Sequence, residues 1–327
     1  MTMLLQRSGV GLIGALLIVV TPLPAQALCV VTGAATATPT ATSLPAYDPF
    51  STSDTIVDLQ FSVSVPLLAV CSAALSFTRT AGLPAVMSQG ASTLRYSIEM
   101  TSGQTLLQTT GYVANSSPTT GTREDFSLPL LGATANVPVR LRVPAGQLVA
   151  AGTYSDAQVN LTVVALTDLF GSSPGALLKQ QAYTPSINVI SKCVLPSPST
   201  STLDFTSAIS NGHPNPSVVQ SSVFNNVQCT APSILRLSGS AMQPTGSIPG
   251  QTGFDNFINW KAAGTFGSAS TVLSTNSASQ ASSATKNIAS GVTSNGTIGV
   301  NVNLLNGNPI IAGSYRSTLT VTIDPNL

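Results

Sequence analysis

The run Val-Pro-Val-Arg-Leu-Arg-Val at 137–143, followed by Ala-Gly-Thr-Tyr at 151–154 and Val-Asn-Leu-Thr-Val at 159–163, decides the fold. Val137, Val139, Leu141 and Val143 alternate with polar or small residues, and so do Val159, Leu161 and Val163. Side chains of an extended strand point to opposite faces in turn, so this spacing buries one face of each strand. Ala145-Gly146 and Ala151-Gly152 mark the connection between them. The same order of events recurs near the other end of the chain. Ile298, Val300, Val302 and Leu304 lead to Asn306-Gly307, then to Ala312-Gly313-Ser314-Tyr315 and to Leu319, Val321 and Ile323. Two copies of one unit, each on the order of 140 residues, predict an all-β chain of two tandem immunoglobulin-like antiparallel β-sandwich domains.

Composition narrows the function. Arg7, the apolar run Val10 to Val20 and Ala25-Gln26-Ala27 read as an export signal cleaved after Ala27. No later stretch approaches the ~18 to 20 continuous apolar residues of a spanning helix, so the mature chain is expected to be soluble. Charged residues make up 7% of the sequence, with 12 basic and 11 acidic, and loss of Arg7 brings the two into balance. Ordinary soluble domains carry ~25%. Nucleic acid is excluded as a partner, because the basic residues are scattered singly apart from Arg140 and Arg142. A weakly charged surface suits a protein that assembles end to end.

Chemistry is scarce. The four cysteines, Cys29, Cys71, Cys193 and Cys229, all follow the signal and divide two and two, which suggests Cys29–Cys71 and Cys193–Cys229 bonds after export. No CxxC occurs and His213 is the single histidine, which argues against zinc and against a Ser-His-Asp triad. His213 lies in the turn-like Asn211-Gly212-His213-Pro214. Glu124 and Asp125 are strand neighbours that point apart, so they do not flank one substrate. Asp54 and Asp58 lack the further oxygen ligands of a calcium loop. Three tripeptides starting at Asn115, Asn160 and Asn295 fit a glycosylation pattern that Ser/Thr-rich chains also produce by chance. The lone Trp260 gives little to a carbohydrate-binding module. No cofactor and no enzymatic activity are expected.

The Ala-Gly-Thr-Tyr-Ser-Asp run at 151–156 with the strand to Val164, its partner Ala-Gly-Ser-Tyr at 312–315, the early cysteine of each unit and Tyr47-Asp48-Pro49 resemble the spore coat protein U domain. That domain is also the subunit fold of archaic, Csu-type, chaperone-usher pili. The second unit departs from the pattern, with Leu203-Asp204-Phe205 but no Tyr-Asp-Pro, and with Arg316-Ser317 where the first has Ser155-Asp156. The resemblance implies an incomplete pilin sandwich. A periplasmic chaperone, and later the N-terminal extension of an adjacent pilin subunit, would supply its missing strand. An outer-membrane usher would carry the subunit to the cell surface, and two-domain members resemble tip adhesins that attach cells in biofilms. A structural coat protein of the spore-coat U type is the other reading.

The expected division is a signal at 1–27, an adhesin-like domain at 28–183 and a pilin-like domain at 184–327. Cys29 stands second after the cleavage point and leaves no arm to donate, which suits a pilus tip. Leu177 to Tyr183 is long enough to complete the first sandwich, although an ordinary linker is the other reading. The last strand, with Leu319, Val321 and Ile323, then lines an open donor-strand groove in the second. Three loops with large apolar residues are expected at one pole of the first domain: Leu83, Val86 and Met87; Leu130 and Leu131; Leu169 and Phe170. They either grip a hydrophobic or host surface or plug the end of the sandwich.

Overall fold

A computed structural model of the chain describes residues 36–40, 46–65, 71–113, 116, 118–128, 134–166, 175–195, 200–247, 249–276, 282–288 and 292–326. The expected signal, Cys29, Leu130, Leu131, Leu169 and Phe170 lie outside them. The described residues hold many strands, one 3-10 turn at Thr206–Ala208 and no α-helix.

The first unit runs through β1 (Thr36–Thr40), β2 (Thr55–Ser64), β3 (Cys71–Arg79), β4 (Val86–Gln89), β5 (Glu124–Leu128), β6 (Thr134–Val143), β7 (Gly152–Ser155), β8 (Val159–Ala165), β9 (Leu177–Tyr183) and β10 (Ser186–Val189). One sheet has the order β1-β2-β6, ending on Ser97–Glu99; the other has β9-β8-β3, with β5 on the far side of β3. The alternating residues meet between them. Val57, Leu59, Phe61 and Val63 of β2, Val137 to Val143 of β6, Leu75 and Phe77 of β3, and Val159, Leu161 and Val163 of β8 share one buried cluster. A small third sheet, β10-β7-β4, closes one end.

The second unit repeats the plan with β11 (Cys193–Val194), β12 (Val219–Cys229), β13 (Ser233–Gly239), β14 (Trp260–Phe266), β15 (Ala269–Ser274), β16 (Ser282–Ile288), β17 (Thr293–Leu304) and β18 (Thr320–Pro325). Its sheets are β11-β12-β17-β14-β15 and β16-β13-β18. Leu235, Leu237, Trp260, Ile298, Val300, Val302 and Ile323 form its core. Gly239 admits Trp260, since a Cβ there would stand 2.8 Å from the indole ring.

The shared Gly-x-Tyr motif has a physical role. The Tyr154 hydroxyl donates to the Ala150 carbonyl at 2.9 Å, and the Tyr315 hydroxyl to that of Ile311, also at 2.9 Å. Each tyrosine thereby pins the backbone that enters the last core strand, the device known as a tyrosine corner. Cys193 and Cys229 are bonded and sit opposite each other in the β11–β12 ladder. Cys71 is disulfide-bonded as well, its expected partner lying outside the described residues.

The expected division after Tyr183 needs correction, because β10 pairs with β7 and buries Ile187 and Val189 in the first core. Tyr47 holds this segment, its N–H donating to Asn188 at 2.8 Å and its carbonyl accepting from Ile190 at 3.0 Å. Next to it Asp48 meets the Lys192 ammonium at 2.7 Å and accepts from the Phe50 N–H at 2.9 Å. The Lys192 N–H donates to the Thr230 hydroxyl at 2.8 Å, and Ala151 donates to the Thr230 carbonyl at 2.7 Å, so both units grip the connection.

Asp156 explains one difference between the two copies of the motif. It accepts from Arg79 Nε at 2.6 Å and from the Tyr96 hydroxyl at 2.8 Å, while Arg79 Nη1 donates to the Gly82 carbonyl at 2.6 Å. All three side chains are buried. The second unit has Ser317 in the corresponding place and no such pair. Removing one member of a buried pair strands the other, so Arg79→Ala is expected to cost about 3–5 kcal/mol, read as a lowered melting temperature.

The junction carries a pH dependence. Burial acts to raise the Asp48 carboxyl, but hydrogen bonds from Lys192 and the Phe50 N–H, with the Lys192 charge, hold it below its ordinary value. A depressed folded-state value stabilises fully above the unfolded one and is lost as pH falls through it. Small-angle scattering should show the connection loosening below about pH 4, with Lys192→Met abolishing the pH step.

Candidate strand-acceptor site

The core strands of the two sandwiches correspond, but their edges do not. In the first, β5-β3-β8-β9 make the second sheet; in the other, β16-β13-β18 do, and β18 has one partner among the described residues. In that sheet the strand without a described counterpart is β9. It pairs with β8 from Val159 opposite Tyr183 to Val164 opposite Leu177. The stretch Leu177–Tyr183 is therefore a paired strand and not a plain linker.

Tyr183 shows what such a strand contributes. Its ring stands 5.2 Å from Phe61 of β2 and 5.7 Å from Phe77 of β3, bridging the two sheets. Burial pushes its hydroxyl up to about 12. Two positions earlier on the same face, Gln181 donates from Nε2 to the Ala37 carbonyl of β1. Leu178 also packs against the first core, so two apolar side chains and one polar stitch close the seam of the first sandwich.

The second unit leaves that seam open on both sides. Along β18, Leu319, just before its first residue, and Val321 are half-buried, and Ile323 is buried. Among the described residues the far edge of β18 has no strand neighbour. On the opposite sheet β11 pairs with only the end of β12, at Gln228 and Cys229. Residues 219–227 have β17 as their strand neighbour on one side and none described on the other. Leu319, Val321 and Ile323, expected at a groove, lie together on this edge.

The expected adhesive residues do not share one place. Cys71 stands opposite Leu128, Ala73 opposite Ala165, and Ser64 opposite Thr134. Segments 66–70, 129–133 and 167–174 consequently leave from one end of the first sandwich. Leu83, Val86 and Met87 follow Arg79, at the other end of the nine-residue β3. Strands rise ~3.3 Å per residue, so the two ends are far apart. Leu83 is 53% exposed, Val86 half-buried and Met87 fully buried opposite Leu94, which removes Met87 from any gripping surface. The signal missed was segment 66–70, Pro-Leu-Leu-Ala-Val, whose described flanking residues Ser64 and Cys71 stand at that same end.

Other candidates are occupied structurally. Asp54 and Asp58 pair with Arg142 and Arg140. His213 is exposed in a short two-residue pairing with 209–210. Burial, then the neighbouring Asp125 charge, raises the Glu124 carboxyl, but the two carboxylates alternate along β5 and offer no acid–base pair.

No family model matches the sequence, and no curated protein does. Solved structures do. The chaperone–tip adhesion subunit pre-assembly complex CsuC–CsuE, from archaic chaperone-usher Csu pili of Acinetobacter baumannii, matches with 14% identity, 77% of this chain, 84% of that chain and a TM-score of 0.36. The CupB6 tip adhesin of Pseudomonas aeruginosa matches with 8% identity over 90% of this chain and 96% of that one, at 0.36. CfaE, the adhesive subunit of CFA/I fimbria of enterotoxigenic Escherichia coli, has 9% identity over 77% and 81%, at 0.32. Superpositions with TM-scores this low are loose, and the acceptor site stands on the strand pairing of this chain.

If Tyr183 seals the first seam, Tyr183→Ser should destabilise the first unit by about 2–4 kcal/mol, the range for truncating a large buried side chain. Differential scanning calorimetry should show the first-unit transition moving while that of the second stays.

Proposed function

We propose that the chain is a non-enzymatic adhesive subunit of a chaperone-usher pilus, exported through the periplasm and displayed at the tip. The observation that carries this reading is the unfilled place beside β18, the place β9 occupies in the first unit. An apolar seam with unpaired backbone on both sides is a template for another chain and an aggregation hazard while empty. A periplasmic chaperone would cover it first, and the adjacent pilin subunit would fill it after transfer at the outer-membrane usher, each by adding a strand to the edge.

The other end of the molecule supports the adhesive half of the reading. Segments 66–70, 129–133 and 167–174 contain Leu67 and Leu68, Leu130 and Leu131, and Leu169 and Phe170. They leave the first unit at the end away from Tyr47, Val189 and the connection to the second. Apolar residues gathered there would bind a hydrophobic or host surface and so support attachment and biofilm growth. Burying ~300 Å² would contribute about 7 kcal/mol gross.

The test is periplasmic expression with and without a chaperone of this class. Soluble protein is expected as a one-to-one complex in which the amides of 319–325 exchange slowly, with aggregation or fast exchange there when the chaperone is omitted. A free monomer whose 319–325 amides are already protected would overturn the acceptor assignment. Leu131→Ser with Phe170→Ser should reduce adhesion to polystyrene at unchanged melting temperature; a fall in melting temperature would mean that these residues plug the sandwich.

A further inference from the structure

The first unit contains a filled copy of the seam that is open in the second, so it can be read as a template for the missing strand. In one sheet, Phe77 opposite Leu161 and Leu75 opposite Val163 correspond to Leu237 opposite Val321 and Leu235 opposite Ile323. By the same alignment Val159, which faces Tyr183, corresponds to Leu319. In the other sheet, Phe61 opposite Val137 corresponds to Phe224 opposite Ile298. The two rings against which Tyr183 rests, Phe61 and Phe77, thus have Phe224 and Leu237 as counterparts. Phe224 and Leu319 are half-buried at the margin of the second core.

Gln181, two positions before Tyr183, meets the Ala37 carbonyl, and Ala37 stands opposite Val63, so the strand runs from its anchor toward Val63. Past Phe224 in the same direction β12 carries the buried Val227, opposite Gly296. Val57 and Leu59, with their counterparts Gln220 and Ser222, lie on the other side of the anchor. Resting on the acceptor assignment above, we infer that the second unit selects an extended segment running antiparallel to β18 with a bulky apolar or aromatic anchor opposite Leu319. The next inward position, opposite Val321, takes a neutral polar residue, as Gln181 does opposite Leu161 in the first unit.

Phe224 and Leu319 are positioned to set this preference, because they and Leu237 would surround the anchor. The partner is therefore recognised first by the side chain placed opposite Leu319.

The full mature chain can test this when it is extended after Leu327 by a flexible connection and a second copy of the Leu177–Tyr183 sequence. Hydrogen exchange at 319–325 is the readout, in three versions: the parental copy, a copy carrying Tyr183→Ser, and the parental copy in a Phe224→Ala background. The parental graft should slow exchange, the serine copy should do so about tenfold less or worse, and Phe224→Ala should erase most of that difference. Equal protection by the tyrosine and serine copies would overturn the anchor inference while leaving the acceptor intact. Protection by neither would sink the acceptor assignment itself.

Discussion

An unpaired strand edge is the constraint on which this molecule is organised. Each backbone N–H and C=O must find a partner in protein or water, and an edge with an apolar seam behind it cannot be fully served by water. The first unit meets the demand internally, laying β9 along β8 and wedging Tyr183 between its two sheets. The second lays β16, β13 and β18 in the places of β5, β3 and β8, and there the described pairing of that sheet stops. Everything proposed about partners follows from that one difference.

The two units are correspondingly unlike in how firmly they close. Val57, Leu59 and Phe61 bring an unbroken apolar wall to the first seam, and the buried Arg79–Asp156–Tyr96 group fixes the turn that leads into β8. In the second unit Gln220 and Ser222 take the places of Val57 and Leu59, and Ser317 that of Asp156. The Cys193–Cys229 bond compensates at the root of β12, holding the edge in position while its flank is unpaired.

Antiparallel connectivity also separates the tasks in space. Successive loops alternate between the two ends of a sandwich, so residues close in sequence on either side of a nine-residue strand end up at opposite poles. That geometry puts Leu83, Val86 and Met87 at the Arg79 end of β3, while Ser64, Cys71, Leu128 and Ala165 stand at the other. It also puts the Asp48–Lys192 pair and Thr230 at the connection, where a pull on one unit is passed to the other through hydrogen-bonded backbone.

Period-two alternation was enough to establish, from the residues alone, the all-β class, the duplication and the buried faces, because the face a side chain takes in a strand is a local property. The Gly-x-Tyr motif was legible for the same reason, since its hydrogen bond spans four residues. Which edges are paired was a different kind of fact. Val321 alternates as regularly as Leu161, yet among the described residues Leu161 has a strand on both sides and Val321 on one, and only long-range register distinguishes them. The ends to which loops go, the Arg79–Asp156 pair across 77 positions and the extension of the first unit to Val189 were likewise settled by tertiary pairing. Local pattern says how a strand faces; the strand beside it depends on the whole chain.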